Sequence, residues 1–138
     1  MIYIKKIDDR ATLPGIATPG SAGLDLHALE TVTIAPGSVA LVRSGIAAQI
    51  QHGYEGQVRG RSGLAVRGIF CHVGTIDSDY RGEIKAVLLN TTSQEYQVRA
   101  GDRFAQLVIA PIVLPNIVPV LILPETERGT GGFGSSGQ

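Results

Sequence analysis

A carboxylate and an aromatic ring stand three residues apart in the run Gly74-Thr75-Ile76-Asp77-Ser78-Asp79-Tyr80-Arg81-Gly82. Asp, Ser and Gly all favour turns, so one interpretation of this run is a plain hairpin turn. The other is functional, because a carboxylate at a strand end, facing a pocket, can orient and deprotonate a water molecule. Asp77 would be that carboxylate, and Tyr80 could pack its ring on a sugar. The run by itself leaves both interpretations open.

The segment Gly60-Arg61-Ser62-Gly63-Leu64-Ala65 combines a guanidinium, a hydroxyl and two glycines. It predicts a loop that enters a short helix over 62–66, with Ser62 as the N-cap residue. The N–H groups at a helix N-terminus, next to an arginine, form a ready site for phosphate. A structural loop and a phosphate site are compatible interpretations of this segment.

Two further segments place polar side chains among apolar strand residues. In Ser21-Ala22-Gly23-Leu24-Asp25-Leu26, we expect Asp25 either to be held by an arginine in a partly buried position or to serve a ligand. In Gly101-Asp102-Arg103-Phe104-Ala105-Gln106-Leu107, Asp102 is expected in a turn, whereas Arg103 and Gln106 interrupt an apolar strand. An exposed strand face would explain those two residues as well as a binding site would.

The sequence changes character at Glu125, where a tail rich in Gly and Ser begins. Residues 129–134 formally match the dinucleotide pattern G-x-G-x-x-G, but no helix follows them, so the match carries no weight. A flexible linker is one interpretation of the tail. A plain linker does not need Arg128 or Phe133, however. An arginine, glycine N–H groups and two serines could wrap a phosphate chain, and Phe133 could stack on a base.

Short apolar runs bounded by Gly, Pro, Asn and Asp must position these segments, and they predict an all-β sandwich or barrel. The run from Ile84 to Leu89 is apolar on both faces and is expected as a central strand. We expect one β-rich domain over residues 1–124 and a mobile arm over residues 125–138. The predicted strands span residues 2–7, 24–28, 31–34, 39–50, 54–59, 69–73, 83–91, 96–98, 103–109 and 117–123.

The composition excludes several classes of protein. With 138 residues, 43% of them hydrophobic and 17% charged, the chain is expected to fold as one domain. A net charge of zero argues against a dedicated nucleic-acid binder. The single cysteine, Cys71, excludes a disulfide framework and a multi-cysteine zinc site. No apolar run has the length of a membrane span and no signal peptide is evident, so we expect a cytoplasmic protein without a membrane partner.

In their order and spacing, the five segments resemble the five motifs of the trimeric dUTPases (dUTP pyrophosphatases), over nearly the whole chain. The resemblance implies a distorted jelly-roll or β-barrel subunit that assembles as a homotrimer, with each active site drawing on all three chains. It also implies hydrolysis of dUTP to dUMP and pyrophosphate, which limits uracil incorporation into DNA and supplies dUMP for dTMP synthesis. Mg²⁺ would be held chiefly by the triphosphate, with waters completing its shell.

The resemblance also implies a role for individual residues. Asp77 would activate water for in-line attack on the α-phosphorus, Tyr80 would stack on deoxyribose and exclude a 2′-hydroxyl, and Asp25 would be linked to Mg²⁺ through water. Some bacterial members of the family have an asparagine where this chain has Cys71; a thiol cannot make an amide's hydrogen bonds, so backbone groups should read the base there. The implied substrate-binding residues are Arg61, Ser62, Gly63, Cys71, Thr75, Ile76, Asp77, Tyr80, Lys85, Gln106, Arg128, Phe133, Gly134, Ser135 and Ser136.

Two alternatives stay open at the level of sequence. A dCTP deaminase, or a bifunctional enzyme that releases dUMP from dCTP, would share the fold. A binding or regulatory module that has lost activity belongs to a different class, although no motif of the chain looks broken. Pyrophosphate release from dUTP, dCTP, dTTP and UTP would separate these possibilities, and ammonia release would mark deamination.

Overall fold

The structure is a computed structural model and describes residues 1–132. Strands dominate the described chain, and a single-turn helix, α1, follows the sixth strand. Nothing helical within residues 1–132 has the length and apolar character that a membrane crossing requires. The elements are β1 (Ile2–Lys6), β2 (Gly15–Ile16), β3 (Gly23–His27), β4 (Val32–Ile34), β5 (Val39–Ile50), β6 (Tyr54–Arg59), α1 (Ser62–Ala65), β7 (Ile69–Cys71), β8 (Gly74–Ile76), β9 (Glu83–Asn90), β10 (Tyr96–Val98) and β11 (Arg103–Pro111).

The strands form three sheets in which neighbours run antiparallel. The four-stranded sheet has the order β1-β5-β9-β7, the five-stranded sheet has the order β2-β3-β11-β6-β8, and β10 pairs with β4. Strands adjacent in a sheet are mostly distant in sequence, so the chain crosses repeatedly between the sheets, as in a jelly roll. The predicted all-β, jelly-roll-like fold is confirmed.

Strand β9 illustrates how the sequence defines the core. Its side chains alternate, with Ile84, Ala86 and Leu88 buried and the residues between them facing outward. As predicted, β9 is central, because it pairs with β5 on one side and β7 on the other. One buried cluster joins residues of all three sheets, and burying each large apolar side chain contributes roughly 1.5–3 kcal/mol. Its largest fully buried apolar members are Phe104, Leu26, Ile34, Ile46, Ile69, Ile84, Leu88 and Leu107.

Most of the predicted strands are present, with ends within two residues of the prediction. Two short strands, β2 and β8, were not predicted, since Gly15–Ile16 and Gly74–Ile76 contain glycine and are too short to show a period. They form because each pairs with a longer strand, β2 with β3 and β8 with β6. Strand β8 ends at the residue before Asp77 and therefore determines where that carboxylate lies.

The predicted strand over residues 117–123 is wrong for the described chain, because these residues form no ladder with any strand of their own subunit. Prolines punctuate the segment at positions 111, 115, 119 and 124, and a proline cannot donate to a ladder. Its apolar side chains face solvent: Val113 is 88% exposed and Ile117 is 92% exposed. An apolar segment of this length without cover is typical of an interaction surface.

Candidate active site

Asp25 lies in β3, where two arginine side chains hold its carboxylate. Arg103 Nη1 lies 3.0 Å from Oδ2, and Arg61 Nε lies 3.6 Å from Oδ1. Arg103 begins β11, the strand between β3 and β6, and Arg61 lies in the loop that follows β6. The expectation of a partly buried aspartate held by an arginine is confirmed, with two arginines in place of one.

Gln106 projects from β11 beside the same carboxylate. In the sheet, its Cα is paired with Asp25 on one side and with Arg59 on the other. Its Nε2 donates to the Gly60 carbonyl at 3.1 Å. A Cβ at Gly23 would collide with the Gln106 side chain, so the glycine makes room for the amide. Gln106 is thus a fixed, half-buried group rather than part of an exposed strand face. We call Asp25, Arg61, Arg103 and Gln106 the arginine cluster.

The loop after β6 leads into α1 and leaves its first N–H groups accessible. The prediction of Ser62 as N-cap is wrong: the N-cap is Arg61, whose extended backbone places its carbonyl to accept from Leu64 N at 3.0 Å and Ala65 N at 3.1 Å. The first N–H groups of a helix have no intrahelical partner. Ser62 and Gly63 are exposed, and a Cβ at Gly63 would meet nothing within 4 Å. Packing within the chain therefore gives no reason for glycine at this position.

Asp77 is exposed and directly follows β8. It also opens a turn, since Tyr80 N donates to the Asp77 carbonyl at 3.1 Å. The run forms a turn as predicted, but the turn does not close a hairpin, because β8 and β9 belong to different sheets. The role of Asp77 toward water stays a prediction. We call residues 77–80 the aspartate turn.

The Tyr80 ring is held against the backbone that follows it. Its hydroxyl donates to the Glu83 carbonyl at 3.1 Å. A Cβ at Gly82 would overlap the tyrosine ring, so only glycine leaves space for it. Arg81 Nη1 donates to the carbonyls of Ser78 and Tyr80, each at 2.8 Å. The Tyr80 and Arg81 side chains therefore fix the aspartate turn, while the Asp77 residue stays exposed.

The structure separates the aspartate turn from the arginine cluster within one chain. Gly56 pairs with Ile76 and Val58 with Gly74, so the same register places Asp77 level with Glu55. Arg59, which pairs with Gln106 of the arginine cluster, lies four residues further along β6, which corresponds to about 14 Å at the usual rise of a strand. A cavity of about 240 Å³ beside the cluster is lined by Arg61, Leu64, Arg67, Tyr96, Asp102 and Arg103.

Cys71 and Lys85 lie outside both groups. Cys71 is half-buried in β7 next to Gly60, and its Sγ donates to the His72 carbonyl at 3.3 Å. Burial raises the pKa of the Cys71 thiol, which makes it a poor nucleophile at neutral pH. Lys85 faces outward from β9, with its Nζ 3.7 Å from the Glu83 carboxylate.

The remaining predicted residues divide between β8 and the tail. Ile76 has a buried side chain, so its backbone alone could face a ligand, whereas Thr75 is exposed. Arg128 Nε donates to the Gly131 carbonyl at 2.9 Å, within the tail itself. Phe133, Gly134, Ser135 and Ser136 lie outside the described residues.

The donor set around Asp25 fits an indirect role toward a metal. Each of its carboxylate oxygens already faces a guanidinium. Among residues 1–132, no group of three His, Cys, Asp or Glu side chains is arranged to hold a metal ion. Mg²⁺ keeps several waters and binds readily to substrate phosphates. Asp25 could therefore contact a hydrated Mg²⁺ through water, but it is not placed as one of several direct protein ligands.

From the sequence alone, the function of Arg103 was undecided, and neither Gly23 nor Gly60 stood out. A signal for Arg103 was present in the sequence, because Asp25 and Arg103 each lie among the apolar residues of a predicted strand. Opposite charges in such positions are expected to pair when the strands are neighbours. The two glycines could not have been found from the sequence, since their importance comes from the Gln106 side chain that lies against one and bonds the other.

The fold is all-β, and an arginine cluster beside an open glycine loop is chemically suited to a phosphate-bearing ligand. The family model of the dUTPases matches residues 9–137. The chain belongs to the dUTPase family, a family of hydrolases.

Curated relatives match over almost the whole chain. The deoxyuridine 5′-triphosphate nucleotidohydrolase of Nautilia profundicola is 47% identical, covering 99% of each chain. The protein of the same name from Anaeromyxobacter sp. (strain Fw109-5) is 53% identical, covering 99% of this chain and 97% of its own.

Solved structures agree with the family assignment. The dUTPase of Staphylococcus bacteriophage 80alpha with dUpNHpp, a dUTP analogue, has a TM-score of 0.92 at 28% identity, covering 100% of this chain and 99% of its own. A mutant dUTPase from phage phi11 of S. aureus, described with a structural Mg(II) ion, has a TM-score of 0.83 at 25% identity, covering 88% of this chain and 97% of its own.

Proposed function

We propose that this protein hydrolyses dUTP to dUMP and pyrophosphate. The observation that carries the proposal is the arginine cluster beside an open, uncapped loop, in a chain whose match to the dUTPase family extends over residues 9–137. Two guanidiniums face one carboxylate there, which leaves one net positive charge for an anion. Removing dUTP would limit uracil incorporation into DNA, and the dUMP formed would supply dTMP synthesis. The cytoplasm, where deoxynucleotides are made, suits this activity.

In the proposed reaction, the triphosphate lies along the loop at residues 61–63. Arg61 and the N–H groups of Ser62 and Gly63 bind phosphate oxygens, and Gln106 contributes its amide. Such preorganised donors stabilise charge that develops on the phosphates. Mg²⁺, held mainly by the phosphates and reached by Asp25 through water, would neutralise part of the triphosphate charge when bound.

Asp77 is the proposed general base. It accepts a proton from a water that attacks the α-phosphorus in line, the bond from that phosphorus to the bridging oxygen breaks, and pyrophosphate leaves. The exposure of Asp77 supports this role, because the carboxylate can reach a substrate bound by another chain. A positioned general base typically increases the reaction rate by a factor of roughly 10²–10⁴.

Recognition of the nucleoside is proposed for the segment between β7 and the aspartate turn. Backbone groups from Cys71 to Ile76 would complement O4 and N3–H of uracil and would be left unpaired by cytosine, while the methyl group of thymine would be excluded sterically. Tyr80 would stack on deoxyribose and exclude a 2′-hydroxyl. We assign Lys85 a position at the edge of this site.

We propose a homotrimer with active sites shared between subunits. The separation of about 14 Å along β6 between the aspartate turn and the arginine cluster supports sharing, because it sets Asp77 apart from the residues of its own chain that would bind phosphate. The uncovered segment over residues 112–124 supports assembly, and so does an outward apolar face on the four-stranded sheet. That face contains Val39, Leu41, Phe70, Val87 and Leu89.

The last proposed component is the tail, with residues 1–124 forming the domain and residues 125–138 an arm that closes over the substrate. Arg128 would contact phosphates, Phe133 would stack on the base, and Gly134, Ser135 and Ser136 would wrap the phosphate chain. The composition of the arm supports this role, because glycine lets backbone N–H groups approach a ligand closely.

Hydrolysis in H₂¹⁸O tests the proposed bond cleavage. Attack on the α-phosphorus places the heavy oxygen in dUMP, and attack on the β-phosphorus places it in pyrophosphate. Mass spectrometry of the two products distinguishes these routes. Label found in pyrophosphate and absent from dUMP would rule out the proposed mechanism.

A further inference from the structure

Strand β5 contains a bulge opposite the start of β9. Four residue steps of β5, from Arg43 to Ala47, face two steps of β9, from Lys85 to Glu83. Gly45, inside the bulge, has φ of +70°, and a Cβ there would lie 2.8 Å from a core alanine. Only glycine fits such a position without strain.

The Glu83 carboxylate fills this bulge. Its Oε1 accepts from Gly45 N at 2.9 Å, and Arg43 Nε lies 3.0 Å from Oε2 and 3.2 Å from Oε1. The Glu83 side chain is only 8% exposed. Hydrogen bonding to Glu83 raises the pKa of the Arg43 guanidinium, so this partner stays charged. We call Arg43, Gly45 and Glu83 the bulge clamp.

The backbone of the same glutamate holds the sugar-facing tyrosine. The Tyr80 hydroxyl donates to the Glu83 carbonyl, and Gly82 leaves the space in which the ring lies. The amide of Tyr80 closes the aspartate turn on Asp77. The bulge clamp is therefore connected to the aspartate turn by one residue, whose side chain is fixed to β5 and whose carbonyl fixes the ring.

We propose that Glu83 is a positioning residue for sugar discrimination: clamped by Arg43 and Gly45, it fixes the carbonyl that holds the Tyr80 ring against the 2′ position. The inference rests on the proposed function, in which Tyr80 excludes a 2′-hydroxyl. Glu83 itself does not touch the substrate. Its loss should therefore change selectivity between dUTP and UTP, an effect that mere loss of stability would not produce.

The test compares kcat/KM for dUTP and UTP in variants that are folded and assembled at the assay temperature. A pocket wall can lower kcat/KM for a substrate with an added hydroxyl by a factor on the order of 10². We therefore expect Glu83→Ala to lower the ratio of kcat/KM for dUTP to kcat/KM for UTP by about tenfold. Glu83→Gln, which keeps an acceptor for the Gly45 amide, should recover most of the ratio. In a Tyr80→Phe background, Glu83→Ala should have little further effect on the ratio.

Thr91→Ala is the control, because it removes a hydrogen bond, to the Gly68 carbonyl at 2.9 Å, beyond the end of β9 that lies opposite Glu83. The dUTP/UTP ratio of kcat/KM in this control variant should equal that of the wild type. Arg43→Gln removes the guanidinium, the more exposed partner of Glu83 in the bulge clamp. If Glu83→Ala does not fold, the dUTP/UTP ratio of Arg43→Gln tests the proposal in its place. An unchanged ratio in a folded Glu83→Ala or Arg43→Gln variant overturns this inference alone. A wild-type protein that fails to hydrolyse dUTP overturns the proposed function and this inference with it.

Discussion

At the scale of single residues, the proposed chemistry depends on how two arginines share one carboxylate. Arg61 Nε lies 3.6 Å from Asp25 Oδ1, which is a loose ion pair. Arg61 Nη1 donates to the Arg103 carbonyl at 2.7 Å. Arg103 holds Asp25 more closely, at 3.0 Å. A guanidinium has five N–H donors, so Arg61 keeps donors for a phosphate without giving up these contacts. Arg61 is thus the side chain of the cluster best suited to bind substrate.

Asp77→Asn should fold and bind dUTP but lose roughly 10²–10⁴ in kcat, because an amide cannot accept the proton from water. The exposed position of Asp77 makes a large effect on stability unexpected. Steady-state kinetics with a binding measurement on a dUTP analogue would check both parts. Near-normal turnover by this variant would remove Asp77 from the role of base.

Gly63→Ala should leave the protein as stable or more stable and yet impair the reaction. Alanine in a helix is favoured over glycine by about 1 kcal/mol, and the new Cβ meets nothing in the chain. The methyl group would instead stand where a phosphate approaches, and a misplaced substrate can cost on the order of 10² in kcat/KM.

Gly20→Ala is the control for Gly63→Ala, because Gly20 is exposed and a Cβ there also meets nothing within 4 Å. Thermal denaturation and kinetics should show a Gly20→Ala variant that matches the wild type in activity. If Gly63→Ala retains full kcat/KM, the loop at residues 61–63 does not contact the triphosphate closely.

At the scale of elements, the sequence predicted strands whose pattern is local and missed those that depend on partners. Strands such as Val39–Ile50 and Tyr54–Arg59 were predicted with their observed bounds, since apolar residues and turn residues mark them. Gly74–Ile76 has no such pattern and forms because β6 offers an edge. The prediction for residues 117–123 failed for the converse reason: the residues are apolar, but within residues 1–132 no strand pairs with them.

Deletion from Arg128 onward should leave a folded, assembled protein with a strongly reduced kcat/KM for dUTP. Of the removed residues, those that the structure describes, 128–132, contribute no side chain to the buried core, so stability should change little. The proposed arm would no longer exclude bulk water from the bound triphosphate. Size-exclusion chromatography and kinetics would check the two expectations, and full activity in the truncated protein would show that the arm is only a linker.

At the scale of the whole molecule, the sequence indicated candidate site residues but not their arrangement. Asp25, Arg61 and Gln106 meet because β11 lies between β3 and β6, an order that no local pattern reveals. Asp77 does not join them within one chain, since the register of β8 on β6 directs it toward the opposite end of the sheet. This separation is what the proposed trimer, with its active sites shared between chains, would resolve.

Mixing two inactive variants tests this sharing. Asp77→Asn and Arg61→Ala chains, unfolded together and reassembled at equal amounts, should recover about a quarter of the wild-type activity, the fraction of sites that random assortment completes. Each variant refolded alone should stay inactive. Absence of recovery in mixed assemblies, with mixing verified by differently tagged chains, would show that both residues act from the same subunit.

The most direct measurement of the central claim is pyrophosphate release from dUTP, dCTP, dTTP and UTP by the wild-type protein, with ammonia followed in parallel. We predict rapid release from dUTP, release from the other three lower by a factor of up to about 10⁴–10⁵ where buried polar groups are left unpaired, and no ammonia from dCTP. Ammonia release from dCTP, or the absence of pyrophosphate from dUTP, would contradict the assignment of this protein as a dUTP-hydrolysing enzyme.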